Sequence, residues 1–148
     1  MNFKADILIE ATKEQVWQVI SDIEGAKDRI SAIQSIEILE QPKDSFIGLK
    51  WTETRIMFGK SATETMWITD AKDNDYYLTR AESHGAVYIS KLMLEEIEGG
   101  TLLTMSFNGT PQTIMAKIMS AVLGPMFKKA TIKAIEQDLI DIKASVEK

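Results

Sequence analysis

The first residues of the chain alternate. Phe3, Ala5, Ile7 and Ile9 share one parity, and Lys4 and Asp6 share the other. A period of two is that of a strand with one buried face. At Thr12 the period changes. Thr12 can cap the amides of a new helix while Gln15 reaches back to it, a capping box. Val16, Val19, Ile20 and Ile23 follow at helical spacing, so a short amphipathic helix is expected over 13–21, ended by Gly25. Ala26, Ile30 and Ile33 indicate a second short helix. Six further strands are expected over 35–40, 46–57, 62–70, 76–82, 86–96 and 101–108. Gln41-Pro42, Gly59, Asp73-Asn74-Asp75, Gly85 and Glu98-Gly99-Gly100 separate them as turn signals. Connections this short imply an antiparallel meander.

The last forty residues change period again. Thr110 before Pro111 reads as a helix cap followed by a first-turn proline. Ile132, Ile135, Leu139, Ile142 and Val146 step by three and four. One helix is therefore expected from 111 to 147, with a kink or break at Gly124-Pro125, where proline removes a backbone hydrogen bond. The whole predicts a single α+β domain over 1–148: seven antiparallel strands, two short helices after the first strand, and a long C-terminal helix. A sheet with one apolar face must bury it. One long helix across a strongly curved sheet does so, and such an arrangement often leaves a cavity.

Composition narrows the function classes. The chain is 45% hydrophobic and 26% charged, ordinary for a globular domain. Its net charge is -5, so the molecule as a whole offers no basic footprint for nucleic acid, although Lys128, Lys129 and Lys133 form a local basic patch. There is no cysteine, hence no disulfide framework, thiolate metal site or cysteine nucleophile, and a cytoplasmic location fits. The start reads as no signal peptide. The longest uncharged helical run, 118–127, is far shorter than the ~20 residues of a membrane span, and a soluble protein is expected. Nucleotide-binding and hydrolase fingerprints are absent, and no cofactor is expected.

Several local features resemble those of one superfamily. The run Ile7-Leu8-Ile9-Glu10-Ala11-Thr12-Lys13-Glu14-Gln15-Val16-Trp17 is similar to its strand, small residue, cap and Val-Trp helix. Asp22-Ile23-Glu24 resembles the end of its first helix, Gly48 its third-strand glycine, and Gly99-Gly100-Thr101-Leu102-Leu103-Thr104 its last hairpin. Their order and spacing resemble the START-like, or SRPBCC, superfamily over essentially the whole chain, and within it the polyketide cyclase/dehydrase-type proteins. The resemblance implies a helix-grip fold with a cavity for a hydrophobic or amphipathic molecule such as a lipid, a polyketide or an aromatic compound. Members include carriers, cyclases, dehydratases and co-chaperones, so it implies no single activity, and fold alone does not supply one.

The strand parities nominate the cavity residues. Trp51, Glu53 and Arg55 share a parity, as do Glu64 and Met66; Arg80 goes with Leu78, and Tyr88 and Ser90 go with Leu92 and Leu94. Met105 lies on the last strand, and Met115, Ile118, Met119 and Val122 lie on the long helix beneath which the resemblance puts the cavity. Buried charges must pair. Three readings of the charges stay open. They orient a ligand's polar group, with Glu53 or Glu64 as a general base and Arg55 or Arg80 holding an enolate or carboxylate. They form salt bridges at the open end of the sheet. Or bulges shift the register and turn them outward. The methionines are either a plastic cavity wall or ordinary core. Trp17 is expected to pack the first helix onto the fold, Trp67 to be partly exposed, and the lone histidine, His84, to be a solvent-exposed turn residue. Segment 111–127 is apolar on nearly every face and carries one charge, Lys117. It needs a second covering surface, and with only Lys117, Lys128 and Lys129 as basic anchors a homodimer or a crystal contact is favoured over a membrane; an interaction module that dimerises through this segment and binds no ligand is then a further reading of the function, beside a ligand carrier and a cyclase- or dehydratase-type enzyme. Stable membrane insertion is not expected.

Overall fold

The computed structural model describes residues 2–57 and 59–148, with Met57 and Phe127 described at the backbone only. Strand β1 (Asn2–Ile9) leads into helix α1 (Lys13–Ile20) and a 3-10 turn (Glu24–Asp28). Strands β2 (Ile33–Glu40), β3 (Lys50–Met57), β4 (Lys60–Lys72), β5 (Tyr76–Ser83), β6 (Ala86–Ile97) and β7 (Gly100–Pro111) follow, and helix α2 (Ile114–Val146) ends the chain. The strands form one antiparallel sheet in the order β1-β7-β6-β5-β4-β3-β2. Each consecutive pair from β2 to β7 is joined by a short connection, and β1 closes onto β7 at the far side.

The capping box forms: the Gln15 amide donates to Thr12 Oγ1 at 3.2 Å and the Thr12 amide to Gln15 Oε1 at 2.9 Å. The helix stops at Ser21, earlier than Gly25, which lies in the 3-10 turn. Trp17 meets Phe46 and Tyr77 edge-on at 6.1 and 6.0 Å, and the buried Tyr77 hydroxyl donates to the Ile20 carbonyl at 3.1 Å. These contacts seat α1 against one end of the sheet. At the same end β7 passes close to β1. A Cβ added to Gly100, at φ +147°, would stand 2.1 Å from the Ile9 carbonyl oxygen, so only glycine permits that approach.

Two expectations about α2 are corrected. Pro111 is the last residue of β7, not the first of the helix, and the cap is Thr113, whose Oγ1 accepts from the Ala116 amide at 3.1 Å. The pairing of Pro111 with Ala86 holds the segment in the sheet. The helix also runs on through Pro125 without the break that was one of the two alternatives there, as one element of 33 residues and about 50 Å. Its C-terminal half supplies the apolar stripe: Ile135, Leu139 and Ile142 are buried with Ile9, Leu94, Leu103 and Val16 in the core. The backbone of α2 rests chiefly on β1, and then on β7 and α1. It reaches β3, across the concave face, through a side chain.

Candidate functional site

That side chain is Arg55. Its Nε donates to Glu53 Oε2 at 2.6 Å, and its Nη2 pairs with Asp138 Oδ2 of α2 at 2.8 Å. Glu53 also accepts from Trp51 Nε1 at 3.3 Å. Two carboxylates thus share one guanidinium in a largely buried place. Burial raises the Asp138 carboxyl, and Arg55 pulls against that rise. Burial would lower the Arg55 guanidinium, but Asp138 and Glu53 outweigh it, so the cation stays charged. Trp51 itself is buried in the core. The group Trp51–Glu53–Arg55–Asp138 is therefore a satisfied network that straps the helix to β3. Asp138 escaped the sequence reading, although an acid one turn from both Ile135 and Ile142 on a buried stripe was the signal for it.

Farther along the concave face the polar groups are differently placed. Glu64 stands directly across from Glu53 on the neighbouring strand. Like charges in that position repel, and Arg55 neutralises only the Glu53 side. Glu64 accepts from Ser83 Oγ at 3.0 Å, and no cation lies within ion-pair distance of it among the described residues. Tyr88 is half-buried; burial first, and then the Glu64 charge, raises its phenol above the ordinary value. Tyr88 stacks on Phe107 at 5.6 Å and 21°, and Phe107 stacks on Phe3 at 6.2 Å and 20°. Gly109 makes room for this row: a Cβ there would meet the Tyr88 ring at 3.1 Å. Ser90 faces inward opposite Phe107 and Thr79, Met66 opposite Trp51 and Ala81, and Met105 opposite Leu92 and Ala5. Glu64, Met66, Tyr88, Ser90, Met105 and Phe107 are all half-buried, so this end of the face is partly open, while Met66, Met105 and Phe107 also pack against the core. Phe107 was legible in the alternation of Leu103, Met105 and Phe107, but the stacking was not.

Arg80 does not join them. It pairs with Trp67 and Ile89 on the convex face and forms an exposed ion pair with Glu82 at 3.3 Å. The inward residues of β5 are Tyr77, Thr79 and Ala81. Tyr76-Tyr77-Leu78 is apolar on both parities, so alternation could not choose the face there, and a one-residue shift turns every side chain over. Trp67 is on the same outer face, with Lys50 Nζ 5.9 Å from its ring. His84 is exposed, at φ 50° in the β5–β6 turn. Met57, which shares the inward parity in the sequence, has its side chain outside the described residues.

The helix residues are corrected too. Met115, Ile118, Met119 and Val122 are 71%, 54%, 50% and 70% exposed, so they do not form the enclosed wall expected of them. The covered side of this half carries Ala116, Ser120 and Leu123. Ala116 sits by the β5–β6 turn, where a Cβ on Gly85 would come within 3.4 Å of it. A helix apolar on every side has no stripe from which to read its inner face.

Two surface depressions lie outside this part of the face, one of about 340 Å³ beside Ala11–Gln15 and Gly100, the other of about 150 Å³ between Asp22, Pro42 and Phe46. Neither contains a nominated residue. Among the described residues no three acidic or histidine side chains gather to hold a metal ion, and no helix is long and apolar enough to cross a membrane.

The family model described as polyketide cyclase / dehydrase and lipid transport matches residues 1–147. No curated protein matches the chain. Among solved structures, a START superfamily protein from Mycobacterium smegmatis is similar at a TM-score of 0.82 and 17% identity, covering 99% of this chain and 97% of that one. A protein from Thermus thermophilus is similar at 0.83 and 17%, with the same coverage of 99% and 97%. The ZhuI aromatase/cyclase from Streptomyces sp. R1128 is similar at 0.72 and 15%, covering 99% and 93%. Identities this low speak for the fold. The chain shares with the START superfamily protein a seven-stranded sheet gripping a long C-terminal helix, and a family match over nearly the whole length means that it belongs to the polyketide cyclase / dehydrase and lipid transport family.

Proposed function

We propose that the protein binds an amphipathic small molecule in the groove between the concave face and α2. The apolar body lies against Phe107 and Tyr88, which the buried Phe3 backs, with Met66 and Met105 beside them, and a hydrogen-bond donor of the ligand meets Glu64. The observation that carries this reading is a half-open stack of aromatic rings next to a carboxylate that has no cation among the described residues. Flat apolar surface left open marks a binding site more often than a structural one. The family description, which names cyclases and lipid transport, supports the ligand class.

2-Naphthol and 2-naphthoate test it by thermal shift and titration. Both present the same rings. 2-Naphthol donates a hydrogen bond to Glu64, whereas the carboxylate of 2-naphthoate is repelled by it. 2-Naphthol is expected to bind the more tightly, and Glu64→Ala to weaken it roughly tenfold. Equal binding of the two, unchanged in Glu64→Ala and Tyr88→Ala, would refute the proposal.

A second reading, a cyclase- or dehydratase-type enzyme, draws support from the aromatase/cyclase neighbour. Glu53 is engaged by Trp51 and Arg55, so a general base in this groove would be Glu64. Neither Arg55 nor Arg80 is left to hold an enolate, since Arg55 is shared by two carboxylates and Arg80 is on the outer face. Binding is therefore the better-supported reading.

A further inference from the structure

The first half of α2 carries a second surface, on the side away from its small, covered residues. Ile114, Met115, Ile118, Met119, Val122 and Met126 are all exposed, from 50% to 79%. Steps of three and four put most of them on one side of the helix, and the same steps continue from Met126 to Lys129 and Lys133, both exposed. An apolar stripe thus runs into a cationic one. The charge along the chain is also segregated. From Gly99 to Ile135 there are four lysines and no acid, in a protein whose net charge is -5.

We propose that this face of α2 docks on an anionic lipid surface, with the methionine and isoleucine side chains in the interface and Lys129 and Lys133 at the headgroups. An interfacial helix combines an apolar face with lysines and lies in the membrane plane without crossing it. Each lysine near an anionic leaflet adds attraction that salt screens. Charge also argues against a second copy as occupant, because pairing this stretch with itself brings Lys129 and Lys133 no carboxylate. The count of flanking lysines alone favours a dimer. The exposure of the whole stripe, and its run into Lys129 and Lys133, reverse that preference. The docking face is distinct from the groove, so the two readings stand or fall separately.

The test is co-flotation of the full chain with phosphatidylcholine vesicles containing phosphatidylglycerol, beside pure phosphatidylcholine vesicles. Binding is expected to the anionic vesicles at low salt and to be reversed at high salt. Met119→Glu and the double variant Lys129→Glu/Lys133→Glu should each weaken it, the latter by at least roughly fivefold per lysine. All three positions are exposed, and an unchanged circular dichroism spectrum shows that the variants are folded. Unaltered 2-naphthol binding by Met119→Glu separates this face from the groove. No co-flotation overturns the proposal, as does binding that neither variant weakens. Sedimentation of the wild type as a dimer that Met119→Glu dissociates would assign the face to a second copy and also overturn it.

Discussion

Arg55 shows how one residue can hold two parts of the fold. Its guanidinium lies between Glu53 of β3 and Asp138 of α2. Arg55→Met leaves two carboxylates facing each other without their cation in a place burial already makes costly. The loss of stability at neutral pH should be about 3–5 kcal/mol. Acid should reduce it, and the sign follows from Asp138. Its carboxyl is held above the ordinary value, so the folded state binds a proton more readily than the unfolded chain, and this group's contribution to stability falls as pH rises through that range. Without Arg55 the carboxyl rises further, and protonation relieves the repulsion. Urea unfolding at pH 7 and pH 5 measures this; a deficit equal at both would mean that the ion pairs are not its source. The need for a partner was legible in Glu53 and Arg55 themselves, since buried charges pair. The partner on α2 was not, because 83 residues separate Arg55 from Asp138.

At the scale of elements, periodicity located most strands to within a few residues. It failed where the pattern was uniform or where two signals competed. Thr110-Pro111 has the composition of a helix start, yet pairing with β6 keeps both residues in β7. The structural cap is Thr113. Thr113→Ala should therefore cost about 1 kcal/mol and Thr110→Ala much less, which chemical denaturation of the two variants will tell apart. Equal losses would restore the earlier start. The β5 register is a failure of the other kind: Tyr76, Tyr77 and Leu78 satisfy both faces, and only the bond pattern to β4 and β6 sends Arg80 outward.

Across the whole molecule, α2 divides into a clamp and a cover. Ile135, Leu139 and Ile142 are core residues. Ser31 donates from its amide and its hydroxyl to Asp141 at 2.9 and 2.8 Å, and Lys143 reaches the Leu8 carbonyl and Glu147. Among the described residues the first half has no comparable attachments beyond its cap by the β5–β6 turn, and most of its large side chains are in solvent. Local stability follows burial. Amides of residues 132–146 should exchange near the global unfolding rate, those of 117–123 at least about a hundredfold faster. Amide exchange read by NMR or mass spectrometry checks the gradient, and uniform protection along the helix would refute it. Such a cover suits the proposed binding site, whose occupant would have to enter and leave.

The chain's own pattern determined the strand–helix order, the curved antiparallel meander, the capping box at Thr12 and the apolar stripe of the clamp. Each rests on neighbours at most a few residues apart, where periodicity and turn chemistry act. The tertiary structure alone decided which charges meet and which side of the cover faces in. It joined Arg55 to Asp138, left Glu64 beside Tyr88 without a cation among the described residues, and turned the methionines of 115–126 to solvent. Those outcomes depend on contacts between distant segments and on the facing of a helix with no polar side of its own, which alternation along the sequence does not encode.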